Sequence, residues 1–336
     1  NQFRVPLEAS WELDFWGRVR REVEAAGAEA GAAAALGEAA RLALQADVAQ
    51  SYFALRTVEA EMVILRETVA LRERATGLVR DRFRSGAISE LDVARAETET
   101  ADAQAELAVL EQRRAGLVNM MATLAGRRAT SFELKLAPLA GTPPQVPAGV
   151  PADVLQRRPD VAEAERRLAA ASARIGAAKA AFFPSVRLTG RVAVESSMTD
   201  DLFTKGSKAW AAGSSVNFPI FEQALNAVVY DGRKLQFEER LAEYEQTALR
   251  AFQEVESQLS ALRYLAEQEA AQLRAVEASG RAAKLSAERF RAGAVSFLEV
   301  VDADRSRLQS LRQSRQTAGQ RYVATVLLIR ALGGGW

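Results

Sequence analysis

From Gln2 to Phe15 apolar and polar residues alternate: Phe3, Val5, Leu7, Ala9, Trp11, Leu13 and Phe15 against Gln2, Arg4, Pro6, Glu8, Ser10, Glu12 and Asp14. A period of two predicts a strand with one greasy and one polar face. At Arg18 the period changes. Val48, Tyr52, Leu55, Val58, Met62, Leu65 and Val69 fall three or four apart among Arg, Glu and Gln, the narrow apolar seam of a coiled-coil-like helix. From Arg18 to about Phe83 such a helix would be about 100 Å long at about 1.5 Å per residue, too long for a compact domain of this size. Two more alternating stretches follow. Val186, Leu188, Val192 and Val194 oppose Arg187, Thr189, Arg191 and Glu195, while Trp210, Ala212, Val216, Phe218 and Ile220 share a face within Trp210 to Ile220. Polar Ser196 to Ser207 reads as the exposed hairpin loop between them.

Proline supports this division, because an interior proline breaks helices and central strands. None occurs from Leu7 to Ala137 or from Ile220 to Trp336, and the others after Pro6 lie from Pro138 to Pro219. The first tract breaks only at Arg84 to Asp92. Gly86 can take positive φ to end one helix, and Ser89 can cap a second, with Asp92 at its third position, that runs to about Leu124. The passage Asp81 to Val93 then recurs 207 positions later as Glu288 to Val300, and Glu90 against Phe297 is its one non-conservative pair. A long helix from about Leu225 to Phe290 precedes the second copy, and a shorter one to about Leu332 follows. The chain therefore reads as a first repeat over residues 1–140 and a second over 141–336.

Composition narrows the chemistry. The 336 residues contain neither cysteine nor histidine, which removes disulfides, thiol nucleophiles, His-based triads and most zinc sites; no metal site and no cofactor is expected. A formal charge of +1, with acids and bases interspersed, gives no case for nucleic acid. No run of eighteen apolar residues predicts a transmembrane helix. A start at Asn1, not Met, suggests a processed or trimmed terminus. Paired carboxylates could serve an enzyme, but no phosphate loop, metal cluster or α/β pattern accompanies them, so the chain is expected not to be an enzyme.

The strands admit two uses. In a soluble sheet the apolar face packs on a core, as in a coiled-coil scaffold carrying a small sheet. In a transmembrane barrel that face meets lipid, the charged face meets water, and about 9 to 11 residues suffice to cross. The narrow-seamed helices offer little to cover a sheet, and Trp11, Phe15, Trp16, Trp210, Phe218 and Phe221 would supply aromatics for the membrane interfaces. Three strands cannot close a barrel, so this reading requires oligomerisation.

Several strings together resemble one family. Arg157-Arg158-Pro159-Asp160-Val161 through Phe182-Phe183-Pro184-Ser185-Val186, with Ser10-Trp11-Glu12-Leu13-Asp14, Pro219-Ile220-Phe221, Tyr244-Glu245-Gln246-Thr247 and the ending Ala331-Leu332-Gly333-Gly334-Gly335-Trp336, look like TolC-like and OprM-like outer-membrane efflux channels, particularly the lipoprotein branch serving RND pumps. The resemblance covers essentially the whole chain. It implies a mainly α protein with long antiparallel helical hairpins forming a periplasmic α-barrel, and a homotrimer in which each chain gives four strands to an outer-membrane β-barrel. It also implies a periplasmic adaptor (membrane fusion protein) and an inner-membrane RND pump as partners, outer-membrane lipid around the strands, and a Gram-negative host. A type I protein secretion channel is the rival within the family. Aligning Ser10 with Ser215 leaves about Pro151 to Val194 without a counterpart ahead of Asn1, so the first repeat is expected to lack its opening helix and strand.

Candidate functional residues gather at the two matching turns. Glu299 and Asp302, three apart on one helix face, would form stacked acidic rings in a trimer and match the family's periplasmic gate; Asp92 is the acidic match in the first repeat, with Arg95 where a second acid would stand. The alternative is plain N-terminal helix acids on the macrodipole. Arg84, Gly86, Ile88, Ser89 and Leu91, with Arg291, Gly293, Val295, Ser296 and Leu298, are either adaptor-docking surface or helix-reversal chemistry alone.

Overall fold

The computed structural model describes residues 2–139, 141–144, 146 and 157–334. In chain order these form β1 (Phe3–Leu13), α1 (Arg18–Arg84), α2 (Glu90–Leu124), a 3-10 turn at Ala129–Ser131, α3 (Pro159–Ala180), β2 (Ser185–Ser196), a 3-10 turn at Lys205–Ser207, β3 (Lys208–Asn217), α4 (Gln223–Arg291) and α5 (Phe297–Ala331). The elements read from the sequence are present, with shifted edges at the strands. β3 begins two residues earlier than the alternation indicated and stops before Phe218 and Ile220, because Pro184 and Pro219 end the ladder where Ser185 meets Asn217. Ala140 at the expected repeat boundary, Pro147 and Pro151 of the linker, the start of the expected second-repeat helix, and Gly335 and Trp336 lie outside the described residues.

The chain divides into two compact units: Asn1–Glu38 with Pro159–Arg250, and Ala39–Arg158 with Ala251–Trp336. The first unit holds the sheet, antiparallel in the order β1-β2-β3. Its register explains both alternations together. Leu7, Val192 and Trp210 form one cross-strand row, and Leu13, Val186 and Val216 another, all on one face. On the opposite face Arg4 lies across from Glu195, Glu8 from Arg191 and Glu12 from Arg187, so each charge meets its opposite. Arg4 and Glu195 are paired at 2.9 Å. The apolar face is bare: Leu7 is 76 % exposed and Trp210 80 %.

β1 ends two residues before Phe15 because Asp14 leaves the strand to cap α1, accepting the backbone N–H of Val19 at 3.0 Å and of Arg20 at 2.9 Å. Arg18 grips Glu12 with two hydrogen bonds of 2.9 and 2.6 Å, tying strand to helix. α3 lies against the start of α1, with Arg166 beside Gly31 and Arg21 beside Gly176 and an ion pair between Arg174 and Glu29; its Ala170, Ala171 and Ala173 are buried.

The second unit is a helical body. Val58, Met62 and Leu65 of α1 pack with Ala103 and Leu110 of α2 and Leu308 of α5. α5 approaches α1 closely at Gly319, where a Cβ would lie 2.1 Å from the Thr57 hydroxyl, so only glycine fits there. The linker after α2 is fastened to α1 by a buried carboxylate. Glu59, fully buried, accepts hydrogen bonds from Arg56 at 2.6 Å, Arg114 at 2.9 Å and the backbone N–H of Ala137 at 3.0 Å. The same two guanidinium groups donate to the carbonyls of Lys135 and Leu134, each at 2.8 Å.

Candidate gate and docking turns

Both turns are built by the same hydrogen bonds. At the end of α1 the N–H of Ala87 reaches the Arg82 carbonyl and that of Gly86 the Phe83 carbonyl, each at 2.9 Å. At the end of α4 Ala294 bonds Arg289 at 2.9 Å and Gly293 bonds Phe290 at 3.0 Å. This is the Schellman pattern, and it needs φ values of +74° at Gly86 and +75° at Gly293. Nothing lies within 4 Å of a Cβ built at either glycine, so backbone conformation alone demands the residue.

The turns are also in contact. Phe290, Phe297 and Val301 from the second side form one buried cluster with Val79 and Ala96 from the first, and Ile88, Val93, Val295 and Val300 pack against it. The rings of Phe290 and Phe297 lie 5.5 Å apart. Arg82 places its guanidinium 4.8 Å from the centre of the Phe290 ring and donates to the carbonyls of Phe290 and Arg291, both at 3.4 Å. Ile88 and Val295, named as docking residues, are thus partly committed to this core. Arg84, Gly86, Ser89 and Leu91 remain exposed, as do Arg291, Gly293, Ser296 and Leu298.

The three gate candidates have different surroundings. Asp92 is half-buried and caps α2, its carboxylate accepting the N–H of Ser89 at 3.4 Å and the Ser89 hydroxyl at 3.1 Å. Ser296 shows no side-chain cap; Glu299 is exposed and pairs with Arg289 at 3.3 Å. Asp302, also exposed, lies near Arg305, whose guanidinium is held above its usual pKa by Glu99 first and by the charges of Asp302 and Asp102 in addition. Among the described residues no hydrogen bond or ion pair joins Asp92 to either of the other two.

Behind Asp302 lies a charge network that the sequence reading missed. Glu99 of α2 is buried and bonded to Arg305 of α5 and to Arg72 of α1 at 3.2 Å. Arg72 also reaches Asp304 at 3.3 Å. One step along, Arg312 joins Glu106 at 2.6 Å and Glu61 at 3.5 Å. Beside the network is a cavity of about 590 Å3 lined by Leu71, Thr76, Val79, Phe290 and Val301 among others. Charged bonds join the hairpins at this level, beside the apolar cluster of the turns. A signal was present: Arg72 falls three residues after Val69 in the apolar seam, and Glu99 sits between Ala96 and Ala103 on the face that α2 buries.

In the first unit all six interface candidates are exposed, from Trp16 at 50 % to Phe221 at 97 %. Trp210 lies toward the β2–β3 loop; Trp11, Phe15, Trp16, Phe218 and Phe221 cluster where strands meet helices. Trp16 is fixed there, stacked 4.6 Å from Phe183 and donating its indole N–H to the Pro184 carbonyl at 2.8 Å. Among the described residues no helix is long and apolar enough to cross a membrane.

Comparison with known proteins bears on the fold and family of the chain. The sequence profile described as Outer membrane efflux protein matches residues 1–127 and 150–334. The solvent efflux pump outer membrane protein SrpC of Pseudomonas putida is 35 % identical over 337 residues, covering 100 % of this chain and 72 % of its own length. The outer membrane protein OprJ of Pseudomonas aeruginosa is 33 % identical, over 97 % of this chain and 68 % of its own. Among solved structures, the outer-membrane channel OprN superposes with a TM-score of 0.94 at 31 % identity, covering 99 % of this chain and 76 % of that one. The open-state MtrE outer membrane channel of Neisseria gonorrhoeae gives 0.86 at 32 %, over 100 % and 80 %. With one greasy and one charged sheet face, paired helical hairpins and this likeness over nearly its whole length, the chain belongs to the outer membrane efflux protein family, as the outer-membrane channel component of an efflux pump.

Proposed function

We propose that three copies of this chain form a passive, non-enzymatic conduit for small organic molecules, with the sheet in the outer membrane and the paired turns meeting a periplasmic adaptor that links it to an inner-membrane RND pump. The carrying observation is the sheet. Its three strands present a bare apolar face and a charge-paired opposite face, a combination that suits lipid on one side and water on the other and that cannot close on itself. Repeats at 1–140 and 141–336, each supplying one hairpin per copy, give a trimer six quasi-equivalent hairpins around one axis. The solvent efflux role in the name of SrpC suits an apolar cargo class.

Within this reading Glu299 and Asp302 ring the narrow end, Asp92 contributes from the first repeat, and the exposed surfaces of Arg84, Ser89, Leu91, Arg291, Ser296 and Leu298 face the adaptor. Trp11, Phe15, Trp16, Trp210, Phe218 and Phe221 lie at the lipid headgroups. Reversing both acids, Glu299→Lys with Asp302→Lys, is expected to change the conductance and cation preference of the trimer in planar bilayers. Unchanged conductance and selectivity would refute the gate assignment while leaving the channel reading intact.

A further inference from the structure

The contact between the turns is made from residues that each turn possesses, yet each chain makes it once. Arg82 of the first turn lies over Phe290 of the second. Moved by the repeat spacing of 207, the same pair is Arg289 and Phe83, again an arginine and a phenylalanine at the same places in the same backbone. Arg289 lies on the second turn and Phe83 on the first, as the shifted contact requires. Within one chain the pair is unmade: Phe83 is 43 % exposed where Phe290 is 8 %, and Arg289 is occupied by the exposed carboxylate of Glu299.

We infer that Arg289 stacks on Phe83 of the next copy, repeating between chains the contact that Arg82 and Phe290 make within one. This rests on the trimeric reading above and deepens it, by assigning a residue pair to the copy-to-copy seam at the turns. A surface offering the arginine on one side and the aromatic ring on the other is head-to-tail, and such contacts close into a ring when the rotation allows. Glu299 is a weak competitor, since an exposed ion pair holds its arginine loosely, whereas the Phe83 ring with the carbonyls of Phe83 and Arg84, the repeat equivalents of the groups that receive Arg82, becomes an enclosed seat once the next copy covers it. The exchange also releases Glu299 from its arginine in the assembled channel.

The chain contains no cysteine, so a double variant Phe83→Cys with Arg289→Cys carries the only thiols. Both positions are exposed, so folding is not at risk. Treated in outer-membrane vesicles with a short-spacer bismaleimide, the double variant is expected to give covalent dimers and trimers on denaturing gels, and either single variant only monomers. A protein trimeric by native mass that yields only monomers after cross-linking overturns the assigned contact and spares the trimer. Dimers from Phe83→Cys alone overturn the head-to-tail arrangement. A monomeric native mass overturns the underlying functional reading together with the contact.

Discussion

α1 and α4 are near twins by sequence pattern, 67 and 69 residues long and ending in the same turn, yet they live in different surroundings. α1 buries Leu55, Val58, Met62 and Leu65 and even the charged Glu59 and Glu61, while Leu235, Leu249, Tyr264, Leu273 and Leu285 of α4 are each more than half exposed. The middle of α1 is covered by its own chain, whereas α4 leaves large apolar side chains bare along much of its length. Local sequence repeats therefore dictate the backbone but not the neighbours, and the residues that break the repeat are the ones adapted to a particular neighbour. Glu59 and Phe297 are two such residues, facing Ala266 and Glu90 at the equivalent positions.

The largest departure from symmetry should follow from removing Glu59. Glu59→Ala strands Arg56 and Arg114 around a buried site and frees the linker at Ala137, a loss of about 3–5 kcal/mol for breaking a buried charge cluster at one member. Ala266→Ser, at the matching position of α4, should change stability by less than about 0.5 kcal/mol. Guanidinium unfolding of the detergent-solubilised protein measures both. Burial pushes the Glu59 carboxyl up, but the Ala137 N–H and the guanidinium groups of Arg56 and Arg114 outweigh it and hold the group below the ordinary glutamate value. A carboxylate lowered in the folded state stabilises fully above its unfolded pKa, and that contribution disappears as pH falls through the lowered value. Acidification below the ordinary glutamate range should thus destabilise the native chain more than Glu59→Gln; equal acid sensitivity would refute the clamp.

Next in size is the position where the turns differ. Phe297 is buried against Phe290, Val79 and Ala96, whereas Glu90 stands in solvent. Phe297→Ala should cost about 3 kcal/mol and raise amide exchange across both turns, because the cluster joins them. Glu90→Ala should stay within about 0.5 kcal/mol. If the two substitutions prove equally mild, the turns are held by the Arg82 contact and the Glu99 network and not by this core.

These asymmetries mark what the sequence could convey. Period-two and period-3.6 patterns located the strands and long helices because each pattern is a property of one segment against one environment. The turns were legible because Gly86 and Gly293 stand where the chain must take positive φ. The charge network was legible only as spacing. Arg72 and Glu99 sit at seam positions of their own helices, but only the meeting of three helices far apart in sequence shows that they are partners. The role of Asp92 was half legible: its spacing from Ser89 gave the cap, but nothing in the matching spacing of Ser296 and Glu299 told that the second acid would take Arg289 instead.

A loss smaller than those at Glu59 and Phe297 is also the most symmetric one. Gly86→Ala and Gly293→Ala each force a Cβ into a left-handed conformation without meeting any neighbour, so the cost is backbone strain alone, about 1–2 kcal/mol at either site. Equal losses in thermal unfolding, with their sum in the double variant, would show that helix reversal is a local affair, set by the end of each long helix whatever packs beside it. A much larger loss at Gly293 would place the positive-φ turn inside the cooperative core built on Phe290 and Phe297. The backbone repeat would then be subordinate to the packing asymmetry, with the second turn as the anchor against which the first is positioned.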